Sequence, residues 1–65
     1  MVSDRVEEYC RNAKMTIASF EKRCGLGNGT VGKWRHGANP SIATLLKMEK
    51  VTGIPLYMWI GEDKR

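Results

Sequence analysis

Thr16-Ile17-Ala18-Ser19-Phe20-Glu21-Lys22-Arg23-Cys24-Gly25-Leu26-Gly27-Asn28-Gly29-Thr30-Val31-Gly32-Lys33-Trp34-Arg35-His36-Gly37 reads as two short helices joined by a tight turn. Thr16 is placed to cap the first, and Ile17, Phe20 and Cys24 recur at helical spacing as its inward residues. Gly25 supplies the left-handed stop that helix C-termini favour, so this helix is about two turns long. Gly25-Leu26-Gly27 forms the turn, and from Asn28 onward Val31 and Trp34 mark a second helix that ends near His36 and is stopped by Gly37. Two helices crossing at about 90–120° through so short a turn need a permissive backbone at the bend and apolar anchors beneath it. Gly25 bends; Leu26, Val31 and Trp34 anchor. With Val31 and Trp34 inward, the opposite face holds Asn28, Gly29, Gly32 and Lys33, with Thr30 near the first turn.

Upstream, Val2, Val6, Tyr9, Cys10 and Ala13 recur at helical spacing over about residues 3–13, with Ser3 placed to cap and Asp4, Glu7 and Glu8 suited to the positive end of the helix dipole. Downstream, Ala38-Asn39-Pro40 cannot continue a helix, because proline pushes its predecessor out of the α region. Ser41 then caps a fourth helix reaching about Thr52, which Gly53 ends. Pro55 opens a short fifth helix with Leu56, Trp59 and Ile60 inward, closed by Gly61. No alternating strand pattern, internal repeat or low-complexity linker interrupts this order. The reading is all-α: five helices around one core of Val6, Tyr9, Phe20, Leu26, Val31, Trp34, Leu45, Leu46 and Trp59, since helices this short need packing to persist in water.

Composition narrows the function. Sixty-five residues make one domain, because so short a chain buries only about 60% of its unfolded surface. The apolar fraction of 42% is ordinary, and the apolar runs are a few residues long, far below the ~20 needed to cross a bilayer. The opening Met1-Val2-Ser3-Asp4-Arg5 lacks the features of a secretion signal, which predicts a cytoplasmic protein with reduced thiols. Cys10 and Cys24 form no C-x-x-C pair and cannot complete a familiar zinc site with His36, so no metal or cofactor is expected. Both fall on apolar helix stripes and read as buried free thiols, although a disulfide between them stays open on sequence alone. Catalysis is not expected either: the single histidine sits at a helix end, the serines and cysteines lack a basic partner, and no glycine-rich phosphate loop follows a strand. Charge placement says more than the total of +4. Residues 22–48 carry Lys22, Arg23, Lys33, Arg35 and Lys47 and no acidic side chain, whereas the rest of the chain carries six basic and seven acidic residues. All of the positive excess therefore lies in the segment that holds the paired short helices.

The stretch from Thr16 to Gly37, followed by Pro40-Ser41-Ile42 and Thr44-Leu45-Leu46, resembles the phage repressor and Cro-type helix-turn-helix domain, the XRE family. The resemblance covers roughly residues 3–61. It implies a compact, lambda-repressor-like DNA-binding domain over residues 1–61, with a polar tail at 62–65 read as frayed. By resemblance the base-reading positions are Asn28, Gly29, Thr30 and Lys33, because in this docking mode the start of the second helix of the pair meets base edges in the major groove. Asn28 suits adenine, Lys33 guanine, and the Thr30 methyl thymine. Phosphate contacts are expected from Thr16 and Ile17, from the loop holding Arg35, His36 and Asn39, and from Ser41, with Lys22, Arg23 and Lys47 as weaker candidates. Glu21 stands where related domains often have alanine, though a glutamate is also familiar there, and reads as a partly exposed carboxylate paired with a nearby base. Arg35 replaces a frequent glutamate, making the groove-facing end more basic.

In the fifth helix, Tyr57 and Met58 are left partly outside. They either mark a contact surface, through which the chain forms a weak homodimer, or fold over the edge of a small core. The partner implied overall is duplex DNA, with no membrane and no small-molecule ligand. The rival reading is a protein-docking module that keeps the fold without DNA recognition, for which the side-chain-poor Gly29 and Gly32 speak. The charge segregation speaks against it.

Overall fold

A computed structural model describes residues 2–61, and the tail read as frayed lies outside them. The described chain forms five helices: α1 (Val2–Ala13), α2 (Ile17–Arg23), α3 (Thr30–Arg35), α4 (Ile42–Thr52) and α5 (Leu56–Trp59). Ser3, Val6 and Cys10, at i, i+3 and i+7, form the buried face of α1. Ser3 is therefore not the cap expected of it: α1 already begins at Val2, and Ser3 lies inside its first turn against the core. α1 closes without a glycine. Lys14 adopts a left-handed conformation (φ 58°), Met15 N–H donates to Cys10 O at 2.9 Å and Lys14 N–H to Arg11 O at 3.3 Å, the paired bonds of a Schellman ending.

Thr16 caps α2 as its position requires, its Oγ1 accepting from Ser19 N–H at 3.0 Å; Ser41 does the same for α4, accepting from Thr44 N–H at 3.1 Å. α4 ends at Gly53, and Thr52 ties its last turn by donating to Met48 O at 2.7 Å and accepting from Ile54 N–H at 3.2 Å.

The core is Val6, Cys10, Phe20, Cys24, Val31, Trp34, Leu45, Met48 and Trp59, with Tyr9 and Leu26 half-buried against it. Tyr9, Phe20 and Trp59 form a triangle of rings with centroids 5.7 to 5.9 Å apart; Tyr9 meets each of the other two edge to face, and Phe20 and Trp59 are tilted against one another. Both cysteines are free and buried. Two expected core residues lie outside. Leu46 is 48% exposed, because Leu45 and Met48 take the inward face of α4 and the residue after Leu45 is turned about 100° away. Ile60 is 42% exposed, because α5 makes a single turn that directs only Leu56 and Trp59 toward the core. No helix among the described residues is long and apolar enough to cross a membrane.

Candidate nucleic-acid interface

α2 and α3 are joined by residues 24–29, a longer connection than the three-residue turn expected, since α3 starts at Thr30 and not at Asn28. Gly25 bends the chain as anticipated: at φ 71° it occupies the left-handed region, while Leu26 N–H donates to Glu21 O at 2.7 Å and Gly25 N–H to Lys22 O at 3.2 Å. The start of α3 is built differently from an ordinary helix N-terminus. Its cap residue, Gly29, is left-handed at φ 84° and has no side chain with which to accept from the first amides. Glu21 fills that role from the neighbouring helix. Its carboxylate, in a residue only 4% exposed, accepts from Gly29 N–H at 3.1 Å and from Val31 N–H at 2.9 Å.

The sequence reading of Glu21 as a partly exposed acid paired with a base is thus corrected. Two helix-terminal amides and the positive end of the α3 dipole draw the carboxylate inward. A helix start at Gly29-Thr30 that lacks its own capping side chain was the one available signal for this.

On α3 itself, Val31 and Trp34 are buried and Lys33 is exposed, so the inward and outward faces are those read from the sequence. Asn28 and Gly29 are exposed in the turn just ahead of the helix. Thr30 is half-buried, and its hydroxyl donates to Gly27 O at 2.6 Å, which leaves the methyl as its unengaged part. Gly32 has no tertiary neighbour within 4 Å of the place a Cβ would take. The base-reading candidates therefore lie across the turn and along α3 from Thr30 to Lys33.

The residues picked as phosphate contacts sit at the ends of elements. Thr16 and Ile17 open α2, Ser41 opens α4, His36 is the C-cap of α3, and Asn39 lies exposed in the following loop. The hydroxyls of Thr16 and Ser41 are already engaged as caps. Arg35 is also engaged: its guanidinium donates to Glu7 on α1, a partner 28 residues away that no sequence signal indicated. Tyr57 and Met58 lie apart from the base-reading candidates, on α5. Met58 borders a groove of about 190 Å³ against α1, together with Arg5, Glu8, Tyr9, Asn12, Ile54 and Trp59.

In space, the five basic side chains of residues 22–48 are all exposed, and Glu21, which precedes them in sequence, is hidden beneath α3. In a comparison with known families, the model of the helix-turn-helix family matches residues 6–59. The chain belongs to this family, of the XRE or Cro-like type. No curated protein and no solved structure matches the chain at a significant level. Membership makes this helix-turn-helix protein a DNA-binding regulator of transcription in general terms. The glycine turn, the Leu26 packed against the core and the buried Val31 and Trp34 all lie within the matched residues.

Proposed function

We propose that this helix-turn-helix protein binds duplex DNA with sequence preference by laying α3 in the major groove, and that it acts as a repressor of phage or mobile-element type in the cytoplasm. The observation that carries the reading is the orientation of α3: burial of Val31 and Trp34 leaves Asn28, Gly29, Thr30 and Lys33 as the strip a groove would meet. Lys33 reads guanine, Asn28 adenine, and the Thr30 methyl thymine; Gly29 brings backbone close to the base edges. Thr16, Ile17, Arg35, His36, Asn39 and Ser41 contact phosphates and set the register of the helix without reading sequence. With only two long polar side chains in the strip, each domain reads a short site. A weak homodimer through Tyr57 and Met58 of α5, both exposed, extends the site to two half-sites about one helical turn apart.

The deciding experiment titrates labelled duplex of random sequence at two ionic strengths. The expected result is binding whose log K falls with log salt at a slope of about −0.9 for each phosphate neutralised. Absence of binding even in dilute salt favours a protein-docking module that has kept the fold. For the dimer, sedimentation at high protein concentration, with and without DNA, is expected to show a concentration-dependent second species; a monomer throughout rules it out.

A further inference from the structure

The segment 22–48 is free of acid in the sequence, yet the fold brings one to it. Arg35, the last residue of α3, donates from Nη2 to Glu7 Oε2 on α1. Among the described residues, Lys22, Arg23, Lys33 and Lys47 have no such carboxylate partner. The two side chains of the pair are 52% and 36% exposed, so it stands in water and salt, where ion pairs are weak and readily exchanged. A guanidinium presents the same planar fork of donors to a carboxylate and to a phosphate. Glu7 and a DNA phosphate are therefore alternative partners for one set of N–H groups.

We propose that Glu7 is an internal competitor for Arg35: it occupies the guanidinium in the free protein, and DNA gains the Arg35 contact only by displacing it. The inference rests on the DNA-binding reading above and adds to it an acidic residue on α1 that lowers affinity. Two physical effects act in the same direction. The pair must break before Arg35 turns to a phosphate, and the displaced carboxylate then stays beside the end of α3, close to the phosphate that replaced it, where like charges repel. Glu7→Gln removes both effects while preserving the size of the side chain.

The test titrates labelled duplex, at two ionic strengths, with the full chain, Glu7→Gln, Arg35→Gln and the double variant; Glu7→Ala serves as a second neutral substitution. Glu7→Gln and Glu7→Ala are expected to bind about two- to fivefold more tightly at low salt, the range a surface ion pair supports, with the gain shrinking as salt is added. Arg35→Gln is expected to bind more weakly, and the double variant to gain over Arg35→Gln by clearly less than Glu7→Gln gains over the unaltered chain, because only the repulsion is left to relieve once the competitor's target is gone. Unchanged or weaker binding by the neutral Glu7 variants overturns the proposal, the second result making Glu7 a residue that orients Arg35. A gain of the same size in the Arg35→Gln background also overturns it, since Glu7 would then act by general repulsion alone. If the unaltered chain binds no DNA at either ionic strength, the DNA-binding reading itself falls, a result distinct from binding that ignores Glu7.

Discussion

Glu21 of α2 holds Val31 of α3 by its backbone, the carboxylate Oε2 accepting from the buried Val31 N–H at 2.9 Å. The companion bond from Gly29 N–H to Oε1 makes the pair a clamp across the turn. The side chain of one helix thus fixes where the other begins, and with it which residues of α3 face outward.

Removing the clamp is expected to destabilise the protein. Glu21→Ala leaves the Val31 amide buried without an acceptor, a cost of about 1–3 kcal/mol for a single unsatisfied group. In a domain this small each kcal/mol corresponds to roughly 4–8 °C in Tm. Glu21→Gln keeps one carbonyl acceptor but turns an amide N–H₂ toward a backbone donor, so its loss is expected to be smaller than that of Glu21→Ala. Thermal and urea denaturation of the two variants check this; a change in Tm of a degree or less for Glu21→Ala would show that the carboxylate is dispensable.

Lys33 and Lys22 separate base reading from phosphate attraction. Both are exposed, Lys33 on the outward face of α3 and Lys22 on α2. Lys33→Ala is expected to alter the ranking of duplex sequences, relaxing preference at one position by about 1–3 kcal/mol, whereas Lys22→Ala weakens all duplexes alike and lowers the salt slope. Competition titrations against a panel of single-base variants measure both effects. Equal and uniform losses would remove α3 from the groove.

Much of this architecture is legible in the sequence because its signals are local. Thr16 and Ser41 stand directly before apolar periodic segments and cap them, and Gly25 follows Cys24, the buried C-cap of α2. Val31 and Trp34, three apart on so short a helix, leave one inward face, which settles the outward one. What escaped reading is what long-range packing decides. Leu45 and Leu46 are equivalent by composition, and only the docking of α4 through Leu45 and Met48 chooses between them. Glu21 looks like any helical surface acid until α3 begins nine residues later without a side-chain cap of its own. The pairing of Glu7 with Arg35 depends on how α1 crosses the end of α3, which no spacing along the chain encodes.

The two core thiols predict an alkaline limit to stability. Burial pushes Cys10 above the ordinary thiol range, helped by the nearby Glu7 carboxylate; burial likewise raises Cys24, against a smaller lowering by Arg23. Both groups therefore hold their protons more firmly in the folded chain than in the unfolded one. The unfolded state begins to lose those protons near pH 8.5 while the folded state keeps them, so unfolding becomes easier as pH rises. The stabilisation is fully present below that pH and declines above it until the folded thiols ionise too, by at most about 1.4 kcal/mol per pH unit for each thiol. Urea midpoints between pH 7 and 10 are expected to fall, and to fall less in Cys10→Ala/Cys24→Ala. Parallel slopes for the two proteins would assign the decline to other groups.

Gly32 offers the sharpest separation of fold from function. It lies in the middle of α3, where glycine costs about 0.8–1 kcal/mol relative to alanine, and the folded protein gives no steric reason for it, since a Cβ there meets nothing within 4 Å. Unlike Gly29, it is not held at positive φ, so alanine fits its backbone without strain. On the fold alone, Gly32→Ala should raise stability by up to about 1 kcal/mol. If α3 seats in the major groove with its outward strip against the bases, the added methyl occupies space that DNA needs, and affinity should fall while Tm rises. Opposite signs from the same purified variant, one from denaturation and one from duplex titration, are the expected outcome. A variant more stable and equally tight on DNA would mean that the helix backbone at Gly32 is not closely approached in the complex, and that Lys33 and Asn28 reach the bases from farther out.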